Sequence, residues 1–193
     1  LRMSVREERT VDLEERLADG RLDMIISTPE DHVNGQSMPL FEETLYVCAA
    51  QEDPLSRDTG PVDLDALKGR ELLSLGPGHR LSVITQRLAD VAGAHVSTEY
   101  EGTSLDAMRQ MATMGAGIAI LPNLYAVVEA QRDPTQVVRP IRHKLARRSI
   151  SLIWRKGSPV TPAIEAFGEV FRTVAAELIG APPSAQPRRK ARH

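Results

Sequence analysis

Three stretches of the chain set polar groups where a helix would begin. They are Thr10, ahead of VDLEERLADG; Gly78-His79-Arg80, ahead of a helix expected over about Ser82–Val91; and Thr103-Ser104, opening a helix expected over Ser104–Met114. The first-turn N–H groups of a helix and the positive end of its dipole hold anions without a counterion. Hydroxyls such as those of Thr10, Thr103 and Ser104 add donors, and Arg80 adds a bidentate, charge-assisted contact suited to a carboxylate. His79 contributes an imidazole that could serve as a ligand or a switch. Each residue also has a plainer role. Thr10 and Ser104 are N-cap types, worth about 1 kcal/mol each to their helices, Arg80 can face solvent, and His79 can bond to loop backbone.

Catalytic chemistry finds no such footing. The chain has no G-x-S-x-G, H-E-x-x-H or P-loop pattern. His32, His79, His95, His143 and His193 are scattered without metal-ligand spacing. The one cysteine, Cys48, sits in LYVCAA, where a small buried hydrophobe is expected rather than a nucleophile. The reading is therefore of a chain that is not an enzyme, with no cofactor and no metal.

The elements that must position these groups read as α/β. Leu1–Glu7 alternates apolar and polar residues as a strand does, and Val11, Leu13 and Leu17 then recur at helical spacing, with Thr10 as cap and Gly20 as left-handed stop. The apolar run Leu22–Ser27 completes a strand, helix, strand unit with connections short enough for a parallel crossover. Two extended pieces fill Met38–Ala50, and QEDP at Gln51–Pro54 breaks the pattern. A second wound unit follows: a short helix Val62–Leu67, strand Glu71–Leu75, the helix after Gly76-Pro77-Gly78, strand Val96–Tyr100, the helix after Ser104, strand Gly117–Leu121 and helix Leu124–Ala130. Strands Val137–Ile141 and Ser149–Trp154 lead to a long helix Thr161–Ile179 with an apolar face. The expected organisation is a first lobe over 1–52, a second over 53–143, a return to the first over 144–180, and a disordered basic tail over 181–193.

A chain of 193 residues with 24 Lys+Arg against 26 Asp+Glu, net −2, is long enough for a real core and carries no bulk charge for a polyanion. Basic residues gather in RPIRHKLARR and in the tail RRKARH, both expected to be solvated. A single cysteine forms no intramolecular disulfide, no apolar run approaches bilayer length, and the charged start is unlike a signal peptide. A cytoplasmic protein without membrane contact is expected.

Three segments are less generic. ERTVDLEERLADGRLDMII carries Leu17, Gly20, Leu22 and Asp23 in a Leu-x-x-Gly-x-Leu-Asp pattern; TSLDAMRQMATMGAGIAILP has Gly115 and Gly117 before a strand and Pro122 after it; RSISLIWRKGSP spans Arg148 to Pro159. Together they resemble the regulatory domain of LysR-type transcription regulators, in the branch that includes the peroxide sensor OxyR. The resemblance implies two Rossmann-like lobes joined by two crossover strands, a type 2 periplasmic-binding-protein-like fold, with an effector in the cleft. There Thr10, His79, Arg80, Thr103 and Ser104 would converge on one small anion. It implies self-association as a dimer or tetramer through the helices Val11–Asp19 and Ser82–Val91, and DNA contact through a winged helix-turn-helix domain not in this chain.

The resemblance also marks two departures. The family's regulatory domain begins one strand and one helix earlier than Leu1. The peroxide sensors place a reactive cysteine after a Gly-His pair and a second one further on, where this chain has Arg80 and about Ala89. Disulfide-based peroxide sensing is thereby excluded, and reversible effector binding remains. A periplasmic-type solute-binding protein of the same clamshell fold is the alternative reading.

Overall fold

The computed structural model describes residues 3–31, 35–102, 104–128, 133 and 135–180. Thr103, the tail from 181 and the far end of the helix expected over Leu124–Ala130 lie outside them.

Two sheets organise the chain. The first contains β1 (Met24–Ser27), β2 (Gly35–Thr44) and β8 (Arg147–Arg155) in the order β1-β8-β2, with both pairings antiparallel. The second contains β3 (Tyr46–Ala50), β4 (Glu71–Leu75), β5 (His95–Gly102), β6 (Ile118–Leu121) and β7 (Gln136–Pro140) in the order β5-β4-β6-β3-β7. Within it β4 lies parallel to both β5 and β6, and β3 pairs antiparallel with β6 and β7. The helices are α1 (Thr10–Ala18), α2 (Arg80–Ala92), α3 (Leu105–Thr113), α4 (Asn123–Val128) and α5 (Thr161–Gly180).

The second lobe is wound as its alternating strands require. Leu72, Ile118, Ile120 and Val47 point to one face, where Leu81, Ile84 and Leu88 of α2 cover them. Their neighbours Leu73, Ala119, Leu121 and Cys48 point to the other, under Met108 and Ala112 of α3. A strand buried on both faces reads as a continuous apolar run, which is the reason for IAIL at β6. In the first lobe Leu152 and Trp154 of β8 pack with Leu40 and Ile164 of α5. Ile153 between them turns to Ile25 and to Leu17 of α1.

The two sheets are joined where two extended segments run side by side. Leu45, fully buried between β2 and β3, donates its N–H to Ala146 O (2.7 Å) and accepts from Ile141 N (2.9 Å). These are the two crossovers of the expected two-lobed α/β architecture.

Several expectations need correction. The strand expected at Leu1–Glu7 is absent over its described residues, and no parallel crossover links it to β1, whose partner is β8. Met3 is 54% and Val5 79% exposed, so the alternation there serves no buried face. The chain changes sheet at Leu45, ahead of the break expected at 53, because β3 pairs with β6 and β7. The short helix expected over Val62–Leu67 is a 3-10 turn at Leu64–Leu67, because Val62 bridges Ile141.

Candidate functional site

The turn Gly76-Pro77-Gly78 delivers the chain from β4 into α2 against the first lobe. Gly78 has φ +91, and a Cβ there would stand 3.2 Å from Val11 Cγ2 and 3.3 Å from Arg9 Cδ. Only glycine combines that backbone with so close an approach. Val11 N–H reaches Gly78 O at 3.4 Å. The N-terminal ends of α1 and α2, one from each lobe, therefore meet.

Thr10 takes part in this meeting, in a role different from the expected one. The N-cap position of α1 belongs to Arg9, whose guanidinium pairs with Asp12 (Nε–Oδ2 2.7 Å), and no side chain caps that end. Thr10 is the first helical residue. Its Oγ1 accepts the backbone N–H of Arg80, the first residue of α2, at 3.2 Å. A hydroxyl from one lobe thus supplies an acceptor for a helix start in the other.

Thr10 and Arg80 line one cavity of about 1090 Å³ bounded by both lobes. The first lobe contributes residues of the segment before α1, β1, Phe41 and Glu43 of β2, Arg148, Ile150 and Leu152 of β8, and one side of α5. The second contributes Arg80, Leu105, Pro122, Leu124 and Tyr125. His79 and Ser104 are not among the lining residues. His79 stands at the N-cap of α2, where its carbonyl accepts the Ser82 hydroxyl at 2.6 Å. Ser104 caps α3, its Oγ accepting Ala107 N–H at 3.2 Å, as the plainer reading of that residue required. Thr103 lies outside the described residues.

Two features of the cavity were invisible in the sequence. Glu43 and Arg148, 105 residues apart, form an ion pair with Oε1 at 2.6 Å from Nε and 2.5 Å from Nη2. They are opposed in the register of β2 and β8, next to the crossovers. Tyr125 of α4 donates its hydroxyl to Asp106 and accepts from Arg109 Nε at 3.3 Å; Arg109 Nη1 in turn contacts Asp133 at 3.3 Å. Burial first, and the Asp106 bond second, push the Tyr125 phenol up to about 12. Recognition of either needs strand register or helix packing, so residue type and spacing alone carry no signal.

Cys48 does not line this cavity. It is fully buried, its Sγ lies 3.3 Å from Gln136 Oε1, and burial pushes its thiol up to about 12, so it holds no thiolate near neutral pH. Among the described residues no three His, Cys, Asp or Glu side chains gather to hold a metal ion. None of the described helices is long and apolar enough to cross a membrane.

Known proteins share this architecture and part of its sequence. The model for the LysR substrate binding domain matches residues 1–176. The chain is 32% identical over 174 residues to the DNA-binding transcriptional dual regulator OxyR of Escherichia coli K12, covering 89% of this chain and 56% of the relative. It is 27% identical over 180 residues to a probable hydrogen peroxide-inducible genes activator of Streptomyces viridosporus, covering 92% of this chain and 57% of the relative. It thus spans about half the length of the curated relatives it matches. Among solved structures, the oxidized form of OxyR superposes with TM-score 0.78 at 30% identity, over 91% of this chain and 82% of that one. A Corynebacterium glutamicum OxyR C206S mutant, H2O2-bound, shares the fold at TM-score 0.78 and 22% identity, over 90% of this chain and 55% of that one. By its matched length and by these relatives, this single-cysteine chain belongs to the LysR substrate-binding domain family, in its OxyR-like branch.

Proposed function

We propose that the chain is the effector-sensing part of a cytoplasmic LysR-type transcription regulator, without catalytic activity, that binds a small anion in the cavity between its lobes. Its coupling to DNA would run through a winged helix-turn-helix domain outside this chain. The observation that carries the reading is the Thr10–Arg80 hydrogen bond. It joins the two lobes at the rim of a shared cavity, where a guanidinium and two helix starts favour negative charge. A ligand held there changes the relative free energy of lobe arrangements, which is what a sensor needs. The buried Cys48 supports reversible binding over thiol oxidation.

The free edge of β1 borders the same cavity, and the strand and helix expected ahead of Leu1 would pack there. Self-association side by side through α1 and α2 is supported by Val11, Val83 and Val91, which those helices leave 51%, 43% and 59% exposed.

The test is thermal-shift screening of the chain against small carboxylates and inorganic anions. At least one carboxylate should raise the melting temperature in wild type and lose that effect in Arg80→Ala, whose unliganded melting temperature stays nearly unchanged. An anion response that survives Arg80→Ala in full would overturn the site. Light scattering reads the dimer, and a strict monomer at high concentration would remove it for this chain.

A further inference from the structure

Helix α3 starts at the cavity and ends on the two strands that join the second lobe to the crossovers. Leu105, its first residue, lines the cavity. Its polar ties come from Arg109 and Thr113, four residues apart and so on one face. The Arg109 guanidinium joins two partners: Nε donates to the hydroxyl of Tyr125 on the cavity wall (3.3 Å), and Nη1 contacts Asp133 Oδ2 ahead of β7 (3.3 Å). Asp133 is itself fixed, because its Oδ1 accepts the backbone N–H of Thr135 at 2.9 Å and its hydroxyl at 2.6 Å. The Thr113 hydroxyl is shared between Arg109 O (2.9 Å) and Oε1 of Gln136 (3.0 Å), the first residue of β7. The same Oε1 accepts from the Cys48 thiol of β3 at 3.3 Å.

Strands β3 and β7 are the ones that continue into the crossovers. Leu45 precedes β3, and β7 runs on to Ile141, whose N–H bonds Leu45 O at 2.9 Å. Gln136 is buried, so separating its amide from Thr113 and Cys48 would leave polar groups without water. Coupling between distant sites runs through such contiguous, hydrogen-bonded elements.

We propose that α3 is a rigid link that passes displacement of the cavity wall to the hinge between the lobes, with Arg109, Thr113 and Gln136 as its positioning residues. Movement at Leu105 or Tyr125 is carried along α3 to β7 and β3, and from their ends to Ile141 and Leu45. None of the three positioning residues lines the cavity, so their part is to hold these elements together. The link rests on the sensing reading only for the origin of the displacement, since the tie between α3 and the crossovers belongs to the chain without any ligand.

Amide exchange of the unliganded 193-residue chain at low urea tests the link. Met108 and Met114 report on α3, where their N–H groups bond Ser104 O and Gln110 O; Leu45 and Ile141 report on the crossovers. In wild type all four should share one opening equilibrium and one urea dependence. Thr113→Val keeps the shape of the side chain and removes the hydroxyl, so exchange at all four should rise about fivefold, the effect of one hydrogen bond. Thr113→Ser retains the hydroxyl and should exchange as wild type does. Val11, whose N–H bonds Gly78 O at the other lobe contact, opens without disturbing α3 and should be unaffected. Acceleration confined to Met108 and Met114, or no change at any of the four, would overturn the link while leaving the sensing reading standing. Acceleration at Val11 as well would assign the effect to stability of the whole chain and overturn the link too. Failure of every anion to bind, by contrast, removes the sensing reading and leaves the tie between α3 and the hinge. If Thr113→Val does not fold, the wild-type urea series decides alone, and separate openings for α3 and the crossovers refute the link.

Discussion

Glu43 and Arg148 face each other across β2 and β8, their side chains only 3% and 17% exposed, two residues from Leu45 and Ala146 in the crossovers that join the lobes. Two charges so placed have lost most of their water and depend on each other. Removing one partner leaves the other buried and unpaired, which costs about 3–5 kcal/mol, while replacing both with apolar groups of similar size is often tolerated. Arg148→Met should therefore be destabilised by about 3 kcal/mol in urea unfolding, and Glu43→Gln/Arg148→Met should recover most of that loss. A double variant as unstable as the single one would mean that the guanidinium acts through contacts other than Glu43.

Gly20 follows α1 in a left-handed conformation that favours glycine, with the Arg155 guanidinium close against it. Its φ is +85, and a Cβ would lie 2.8 Å from Arg155 Nη1, the nitrogen that donates to Leu17 O at 2.9 Å. Gly20→Ala combines backbone strain of about 1 kcal/mol with displacement of the guanidinium that caps α1, a total near 2 kcal/mol. Arg155→Ala in the Gly20→Ala background should add little, because the capping bond is already lost. Additive losses in the double-mutant cycle would contradict the shared cause.

What the sequence discloses here is set by distance along the chain. Gly20 as a helix stop, the strand IAIL and the cap at Ser104 are local, and each stands where period and turn chemistry place it. The change of sheet at Leu45 is not local. Thr44, Leu45 and Tyr46 read as continuous strand, and only pairing with β6 and β7 assigns Tyr46–Ala50 to the other lobe. The same holds for Thr10, whose type suits a cap but whose hydroxyl serves a helix 70 residues away. Alternation at Met3 and Val5 misleads for the opposite reason, since a period-2 pattern reports a face that can be buried and says nothing about what buries it.

Cys48 makes a pH prediction with a definite sign. The thiol is held near 12 in the folded chain against 9.0 for an ordinary cysteine, because burial disfavours the thiolate. Between those values the unfolded chain gives up a proton that the folded chain keeps, so stability falls as pH rises above about 9. The loss from this group approaches about 1.4 kcal/mol per pH unit in that window and is absent below it. Cys48→Ala should show a flatter alkaline limb in denaturant titrations from pH 8 to 11, and iodoacetamide at pH 8 should label wild type only when urea unfolds it. Rapid labelling of the folded chain would contradict the burial that underlies the shift.

Thr10 offers a sharper test of the lobe contact than any binding assay. Thr10→Val keeps the shape of the side chain and replaces the Oγ1 acceptor with a methyl group, leaving the Arg80 N–H to find another partner or none. One lost hydrogen bond at a partly buried site costs about 1–2 kcal/mol. The loss should be local before it is global. Amide exchange at Arg80 should accelerate in Thr10→Val while Leu72 and Leu73, in the middle of β4, keep the protection that global unfolding sets. If the hydroxyl were merely a surface group of α1, exchange at Arg80 would not change. Uniform acceleration at all three amides would instead assign the effect to stability of the whole second lobe, and the bridge between the two helix starts would have no separate energetic role.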